Sequence, residues 1–437
     1  MGLLTFKGGI HPPHGKKYSE KKAIEKANDP KIVKIPLSQH IGAPCKPIVK
    51  KGDFVKVGQQ IGEPLAFVSA PIHSSVSGVV KDVKNVKIAG GMGSCIIIES
   101  DGEFQLSESI SLKGDVELLS GKEILEIIKN AGIVGMGGAG FPTHVKLSPP
   151  PDKNIDLVIL NGAECEPYLT ADHRLMLERA DDIVYGLKAI MKVLDVEKGY
   201  IGIENNKPDA IKIMKEAAKG ENIVVQGLKT KYPQGAEKQL IHAISGREVP
   251  SGGLPMEAGA VVNNVATAYA VADAIKTGMP LIKRICTITG SAIKEPKNLE
   301  ILVGTEITEM IEQCGGFIEE PGKILLGGPM MGRATSAIDI PSTKTTSGIL
   351  AFNKVDAVIP EPSLCIKCGK CVEVCPINLL PVYISANAEN GNFDNAEKFN
   401  AMDCIECGSC SFICPSKRKL LEGIRLTKNR IRSKKQK

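Results

Sequence analysis

The 437-residue chain contains no tryptophan, and aromatic residues make up only 4% of it. That scarcity argues against a stacking platform for nucleobases, and no helix-turn-helix pattern accompanies the basic residues, so no nucleic acid partner is expected. Long apolar runs are missing too. Charge, glycine or proline interrupts every apolar stretch before the ~18 to 20 residues that a bilayer-spanning helix requires. The opening MGLLTFKGGIHPPHGKK has neither an apolar signal core nor a small-residue cleavage site, so a cytoplasmic protein is expected. A single core stops growing at ~250 to 300 residues, and this chain is long enough for three or four domains.

The formal net charge of +6 is uneven, because residues 417–437 hold ten Lys or Arg and one acid. A solvated, disordered basic tail is expected there, of the kind that also docks on anionic lipid head groups at about 1 kcal/mol per charge. Thirteen cysteines in a cytoplasmic chain point to metal thiolates rather than disulfides. Cys45, Cys95, Cys165, Cys286 and Cys314 are scattered and read as small buried apolar residues. The other eight form CIKCGKCVEVCP, from Cys365 to Pro376, and CIECGSCSFICP, from Cys404 to Pro415. Both have the spacing Cys-x2-Cys-x2-Cys-x3-Cys-Pro, in which three thiolates converge on one 4Fe-4S cube and the fourth reaches the other cube. The expected ligand sets are Cys365, Cys368, Cys371 and Cys414 for one cluster, and Cys404, Cys407, Cys410 and Cys375 for the other. Four-cysteine zinc sites rarely take this spacing. Two neighbouring cubes form a short electron wire, which needs a donor at one end and an acceptor at the other.

Ser120 and Glu123 fit a capping box ahead of an apolar helical stripe, Ile124, Leu125, Ile127 and Ile128, that ends at Gly132. This helix leads into GMGGAGFPTHVK. Gly135, Gly137 and Gly140 satisfy GxGxxG there, but they follow a helix instead of the strand that a dinucleotide fingerprint requires. Residues without Cβ let backbone N–H groups approach a phosphate or a ring closely, and Lys146 can neutralise a phosphate; a flexible glycine turn is the alternative. Downstream, IDLVILNG, DHRLMLERADDIVYGLKAIMKVL, KGYIGIEN, a helix from about Lys207 to Ala218 and NIVVQGL alternate strand with helix. The pattern is that of a doubly wound α/β unit with a parallel sheet, whose ligands bind beyond the strands' carboxyl ends. NGAECEP, with Asn161, Glu164 and Glu166, falls at such an end.

GMGGAGFPTHVK, NGAECEP, YPQGAE and VVNNVAT resemble, in this order along the chain, the flavin and NADH motifs of the flavoprotein subunit of bacterial complex I. The resemblance implies FMN bound by Gly135, Gly137, Gly138, Gly140, Lys146, Asn161, Asn263 and Asn264. It implies Glu164, Glu166 and Glu237 around NAD(H), with Tyr232 beside the flavin. Departures from that family are Met136, where it has an Arg, Ala163 in place of an Asp, and Ala236 in place of a Glu. A capping role for Asn263 and Asn264, and a solvated-loop role for Glu164, remain open.

Over nearly the whole chain, FKGGIHPPHGKK, IPLSQHIGAPCKPIVKKGDFVKVGQQIG and the two cysteine runs resemble the RnfC subunit of the Rnf electron-transport complex. The implied fold is multidomain α/β: an N-terminal extension (1–30), a barrel-sandwich hybrid domain (31–105), a doubly wound FMN/NADH domain (115–283), a soluble ligand-binding β-grasp domain (284–350), a bacterial dicluster ferredoxin-like domain (358–416) and the basic tail (417–437). A lipoyl or biotinyl carrier would present a lysine where this chain has Ser69 and Ala70, so the barrel-sandwich unit reads as structural or docking. The resemblance implies a peripheral subunit on the cytoplasmic face of the membrane, in a complex with other membrane subunits that couples electron flow between ferredoxin and NAD to ion movement. FMN would join hydride chemistry to one-electron transfer. A soluble flavin and iron-sulfur cobalamin reductase, and a non-enzymatic wire or scaffold, are the rival readings.

Overall fold

A computed structural model describes residues 3–435 of the chain. Four strands, Leu157–Gly162, Gly199–Glu204, Ile223–Leu228 and Ala260–Asn264, form one parallel sheet in which the first strand lies between the second and the fourth. Strand alternation gives the sheet two apolar faces. Val158, Leu160, Ile201, Ile203 and Val261 pack under the helices Gly121–Asn130, Ala180–Leu194 and Val265–Thr277, while Leu157, Ile159, Ala260 and Val262 pack against Leu240 and Ile241 of the helix Glu237–Ser245. Each fully buried aliphatic side chain stabilises this arrangement by roughly 1.5 to 3 kcal/mol. The capping box read from Ser120 and Glu123 is formed.

The run DHRLMLERADDIVYGLKAIMKVL, expected as one helix, is two, Ala171–Glu178 and Ala180–Leu194, because Arg179 leaves helical backbone angles. The break lets the shorter helix cover the strand ends while the longer one lies along Val265–Thr277. There Gly186 approaches so closely that an added Cβ would meet the Ala268 carbonyl oxygen at 1.9 Å.

The barrel-sandwich unit consists of a four-stranded and a three-stranded sheet closed over Val33, Ile35, Ile61, Ile72, Val80, Ile96 and Ile98. Its carrier-position turn is not displayed to solvent. Ser69 and Ala70 are buried, and the Ala70 N–H donates to His40 Nε2 at 3.1 Å. In the β-grasp unit, Lys283–Thr289 pairs antiparallel with Lys297–Leu302 and parallel with Gly348–Phe352. The helix Ile307–Gln313 contributes Ile307, Met310 and Ile311 to its core.

The N-terminal extension is not an appendage. Its strand Ile24–Lys26 extends the β-grasp sheet by pairing parallel with Lys297–Leu302, Leu4 bridges to Leu228 and Ile10 to Tyr232. The basic tail is not a disordered end either. Leu420–Lys435 is a helix whose buried stripe, Leu420, Leu421, Ile424, Thr427, Lys428 and Ile431, closes the cysteine-bearing unit over Leu379 and Ile384. The stripe recurs at the three-to-four-residue spacing of a helix face, a signal hidden in the sequence by the surrounding charge.

Candidate functional site

The sheet's strand order reverses between Leu157–Gly162 and Ala260–Asn264, and the crevice beyond such a reversal is where open α/β sheets bind ligands. Asn161 and Asn264 are register partners at that point. Asn161 Nδ2 donates to the Gly235 carbonyl at 2.7 Å, and its Oδ1 accepts from the Ala163 N–H at 3.0 Å. Asn264 caps the following helix by accepting from the Ala266 N–H at 2.8 Å, and its Nδ2 donates to Asp172 Oδ2 at 2.7 Å. The capping alternative therefore holds for Asn264. Asn263 differs: it is 4% exposed and its Nδ2 has no partner. A buried amide donor without an acceptor costs ~1 to 3 kcal/mol, so this atom suits a ligand oxygen.

The glycine loop lies over this crevice. An added Cβ on Gly137 would meet the Asn264 Cβ at 3.0 Å, whereas one on Gly138 would meet nothing within 4 Å. Gly135 N–H bonds to the Phe141 carbonyl at 2.8 Å, and Gly140 turns the chain at φ +73°, a backbone conformation that suits glycine. Among the described residues, the N–H groups of Gly137, Gly138 and Ala139 have no hydrogen-bond acceptor in the protein. Three consecutive free amides in a loop that meets Asn264, with an orphaned carboxamide on the neighbouring Asn263, suit the phosphate and ring oxygens of a flavin nucleotide. Lys146 donates at 2.8 Å to both Glu237 Oε1 and the Val262 carbonyl, which leaves its third N–H available. This pair is partly exposed and worth little to stability, ~0 to 1 kcal/mol.

Glu164 and Glu166 sit deeper than a solvated loop. Glu164 accepts from the Asp172 and His173 N–H groups at 2.9 and 3.4 Å, and lies 3.6 Å from Lys16 of the N-terminal extension. Lys16 is 5% exposed and also donates to the carbonyls of Glu166, at 3.0 Å, and Leu169. Glu166 accepts from the Met330 and Met331 N–H groups at 3.1 and 2.9 Å, and burial pushes its carboxyl up to about 7. Burial, then the neighbouring Glu164, pushes Asp172 up to about 6. Lys16 and Asp172 carried no signal in the sequence, since neither belongs to a spaced motif.

Tyr232 is 1% exposed and faces the cysteine-bearing unit, its hydroxyl donating to the Cys407 carbonyl at 2.8 Å. Around it pack Ile10, Cys407, Cys165 and Val374. Gln239 donates to the Pro376 carbonyl at 3.1 Å and Gly9 N–H to the Val374 carbonyl at 2.8 Å, so the parallel-sheet unit is bonded to the loops of both cysteine runs. Among the eight thiols, Cys365 and Cys368 are exposed, and Cys375, Cys407 and Cys410 are buried. Burial, then the thiols of Cys404, Cys407 and Cys375, pushes Cys410 up to about 12. Cys371 is raised by burial and by Cys414 and Cys368. Cys375 of the first run is thus near Cys410 of the second, and Cys414 of the second is near Cys371 of the first. Among the described residues no three of these side chains stand close enough to share a single metal ion, so the grouping is one of proximity, not of a formed coordination shell.

Family models match the four units in turn: the RnfC barrel sandwich hybrid domain at residues 4–103, the Nuo51 FMN-binding domain at 128–273, the SLBB domain at 285–334 and the 4Fe-4S dicluster domain at 357–415. A Clostridium ljungdahlii protein described as the C subunit of a proton-translocating ferredoxin:NAD(+) oxidoreductase complex is 54% identical over 99% of this chain and 95% of its own. The C subunit of the Na(+)-translocating ferredoxin:NAD(+) oxidoreductase complex of Acetobacterium woodii is 54% identical over 98% of this chain and 97% of its own. The C subunit of the ion-translocating oxidoreductase complex of Rhodobacter capsulatus is 40% identical over 91% and 78%. Among solved structures, an NAD+-reducing NiFe hydrogenase in its H2-reduced state aligns over 73% of this chain and 64% of its own, with a TM-score of 0.50 and 15% identity, a likeness of fold alone. Identity of this degree along nearly the full length of both chains means that the chain belongs to the RnfC family, the C subunits of Rnf ion-translocating oxidoreductase complexes.

Proposed function

We propose that the chain is the NAD(H)-reactive subunit of a membrane-associated ferredoxin:NAD oxidoreductase complex, holding FMN at the switch point of its parallel sheet and two 4Fe-4S clusters in its C-terminal unit. The observations that carry the flavin site are the orphaned Asn263 carboxamide at the end of the strand Ala260–Asn264 and the unpaired amides of Gly137, Gly138 and Ala139 in the loop that meets Asn264 at the same strand end. When bound, FMN supplies the exchange between the hydride chemistry of NAD(H) and the one-electron chemistry of iron-sulfur clusters.

Gly135, Gly137, Gly138 and Gly140 keep the loop backbone bare, Asn161, Asn263 and Asn264 hydrogen-bond the flavin, and Lys146 meets its phosphate. Glu237 holds Lys146 in place and, with Glu164 and Glu166, lines the nucleotide side. Tyr232 joins the flavin region to the Cys407 loop. The ligand sets are Cys365, Cys368, Cys371 with Cys414, and Cys404, Cys407, Cys410 with Cys375; the nearness of Cys414 to Cys371 and of Cys375 to Cys410 supports the crossing. No described helix is long and apolar enough to cross a membrane, and a peripheral position on the cytoplasmic face is part of the proposal.

The test is FMN binding to the full chain by quenching of flavin fluorescence. Lys146→Met removes the cation bonded to Glu237 and the Val262 carbonyl and leaves Glu237 to repel the phosphate. It is expected to weaken FMN binding about 10- to 100-fold, the effect of ~1.4 to 2.8 kcal/mol. Equal affinity in wild type and variant would exclude Lys146 from the site, and no binding by the wild type would exclude the flavin reading.

A further inference from the structure

Resting on the flavin reading, we infer that the β-grasp domain serves as a brace for the glycine loop, with Arg284 and Lys344 as its positioning residues. The sequence offered this domain as a ligand-binding module without a ligand, and neither cation stood out in it. Both are buried, Arg284 at 4% and Lys344 at 1% exposure. Such ammonium and guanidinium groups are costly to bury, and they are normally matched by a carboxylate at contact distance. Here their hydrogen-bond partners are backbone carbonyls, and the buried Asp172 and Glu164 carboxylates lie near Arg284 without a direct bond to it.

Lys344 Nζ donates to the Gly132 carbonyl at 2.7 Å and to the Pro71 carbonyl of the barrel-sandwich turn at 2.8 Å. Arg284, in the strand Lys283–Thr289, donates through Nη2 to the Met136 carbonyl at 2.7 Å, and its Nε has no partner. From the barrel-sandwich unit, the Ile41 N–H donates to the Gly140 carbonyl at 3.3 Å. The carbonyls at 132, 136 and 140 are therefore all held by donors from outside the parallel-sheet unit. Thr345, next to Lys344, closes the same side, its Cγ2 lying 2.8 Å from where a Cβ on Gly140 would stand. Lys344 is itself fixed, since its N–H donates to Gln39 Oε1 at 3.0 Å.

With three loop carbonyls held, the amides of Gly137, Gly138 and Ala139 have no protein acceptor among the described residues. A loop of bare glycines would otherwise sample many conformations, and ordering it on ligand binding would cost affinity. The brace removes that cost in advance. It also places the Arg284 guanidinium at the loop, where it offsets Asp172 and Glu164, so that its removal leaves those carboxylates to disfavour the anionic reduced form of a flavin. Burial pushes the Lys344 ammonium down to about 7, so Arg284 carries the steadier charge of the two.

The experiment uses the full chain as wild type and as Arg284→Met, Lys344→Met and Arg284→Lys, with iron content and far-UV circular dichroism as controls for folding. The brace predicts FMN binding weakened about tenfold or more in the methionine variants and by less in Arg284→Lys. It further predicts a lower flavin midpoint potential in Arg284→Met and faster hydrogen exchange confined to residues 132–141. Folded methionine variants that bind FMN within about twofold of the wild type, with an unshifted potential, would overturn it. Should the methionine variants lose iron and fold, Arg284→Lys decides: FMN affinity and exchange in 132–141 equal to wild type would refute the brace. A wild type that binds no FMN would count against the flavin site itself, a separate outcome.

Discussion

Asn263 and Asn264 are neighbours in sequence with different duties. Asn264 ends a strand, caps a helix and holds Asp172, so its replacement would disturb the fold as well as any ligand. Asn263 has a buried amide nitrogen that the protein does not satisfy. Glu166 gives the residue scale its pH test. Its carboxyl stands at about 7 because burial disfavours the charged form, against an ordinary value of 4.5. The folded chain therefore holds this proton more tightly than the unfolded one. The stability so contributed is full below pH 4.5 and lost as pH rises through about 7. Glu166→Gln keeps an acceptor for the Met330 and Met331 amides but cannot ionise. Its unfolding free energy relative to wild type is expected to rise between about pH 5 and pH 8 by on the order of 2 to 3 kcal/mol. Denaturant unfolding of both proteins across that range reads the difference, and parallel curves would rule out a perturbed Glu166.

At the scale of elements, the C-terminal helix changes what the basic run means. Lys428 is buried, donates to the Cys404 carbonyl at 2.7 Å and pairs with Glu406 at 2.6 Å, while Arg425 reaches Glu406 at 3.0 Å. These charges are part of the scaffold around the second cysteine run. Ile424→Ala leaves a cavity beside Leu379 and Ile384 that costs ~2 to 5 kcal/mol. It is expected to speed iron loss to a chelator under anaerobic conditions; an unchanged rate would mean that the helix is dispensable for the cluster unit. Removing the run after Lys417 as a test of membrane attachment would therefore confound attachment with collapse. Replacing the exposed Arg430, Arg432 and Lys434 separates the two.

Over the whole molecule, what could be read from sequence was whatever is encoded at short range. Helical spacing and the Ser120–Glu123 box gave the helix before the glycine loop, alternation of strand and helix gave the parallel sheet, and the two cysteine runs gave the C-terminal unit. The flavin candidates then converge because Asn161 and Asn264 end neighbouring strands. Arg284 and Lys344 were illegible for the opposite reason. Lys344 meets Gly132 across 212 positions and Arg284 meets Met136 across 148, with no periodicity to announce either contact. The N-terminal extension was hidden likewise, since Ile24–Lys26 gains meaning only when Lys297–Leu302 lies beside it. In the folded chain, the parallel-sheet unit carries the crevice, the β-grasp and barrel-sandwich units hold its loop, and Tyr232 bonds it to the Cys407 loop.

The most direct measurement of the central claim is anaerobic purification of the full chain with iron, sulfide and flavin analysis, followed by titration with NADH while flavin absorbance and cluster paramagnetic resonance are recorded. The account predicts about eight irons and about one FMN per chain, with flavin bleaching on NADH addition. Zinc in place of iron, about four irons per chain, or a flavin absorbance indifferent to NADH would contradict it.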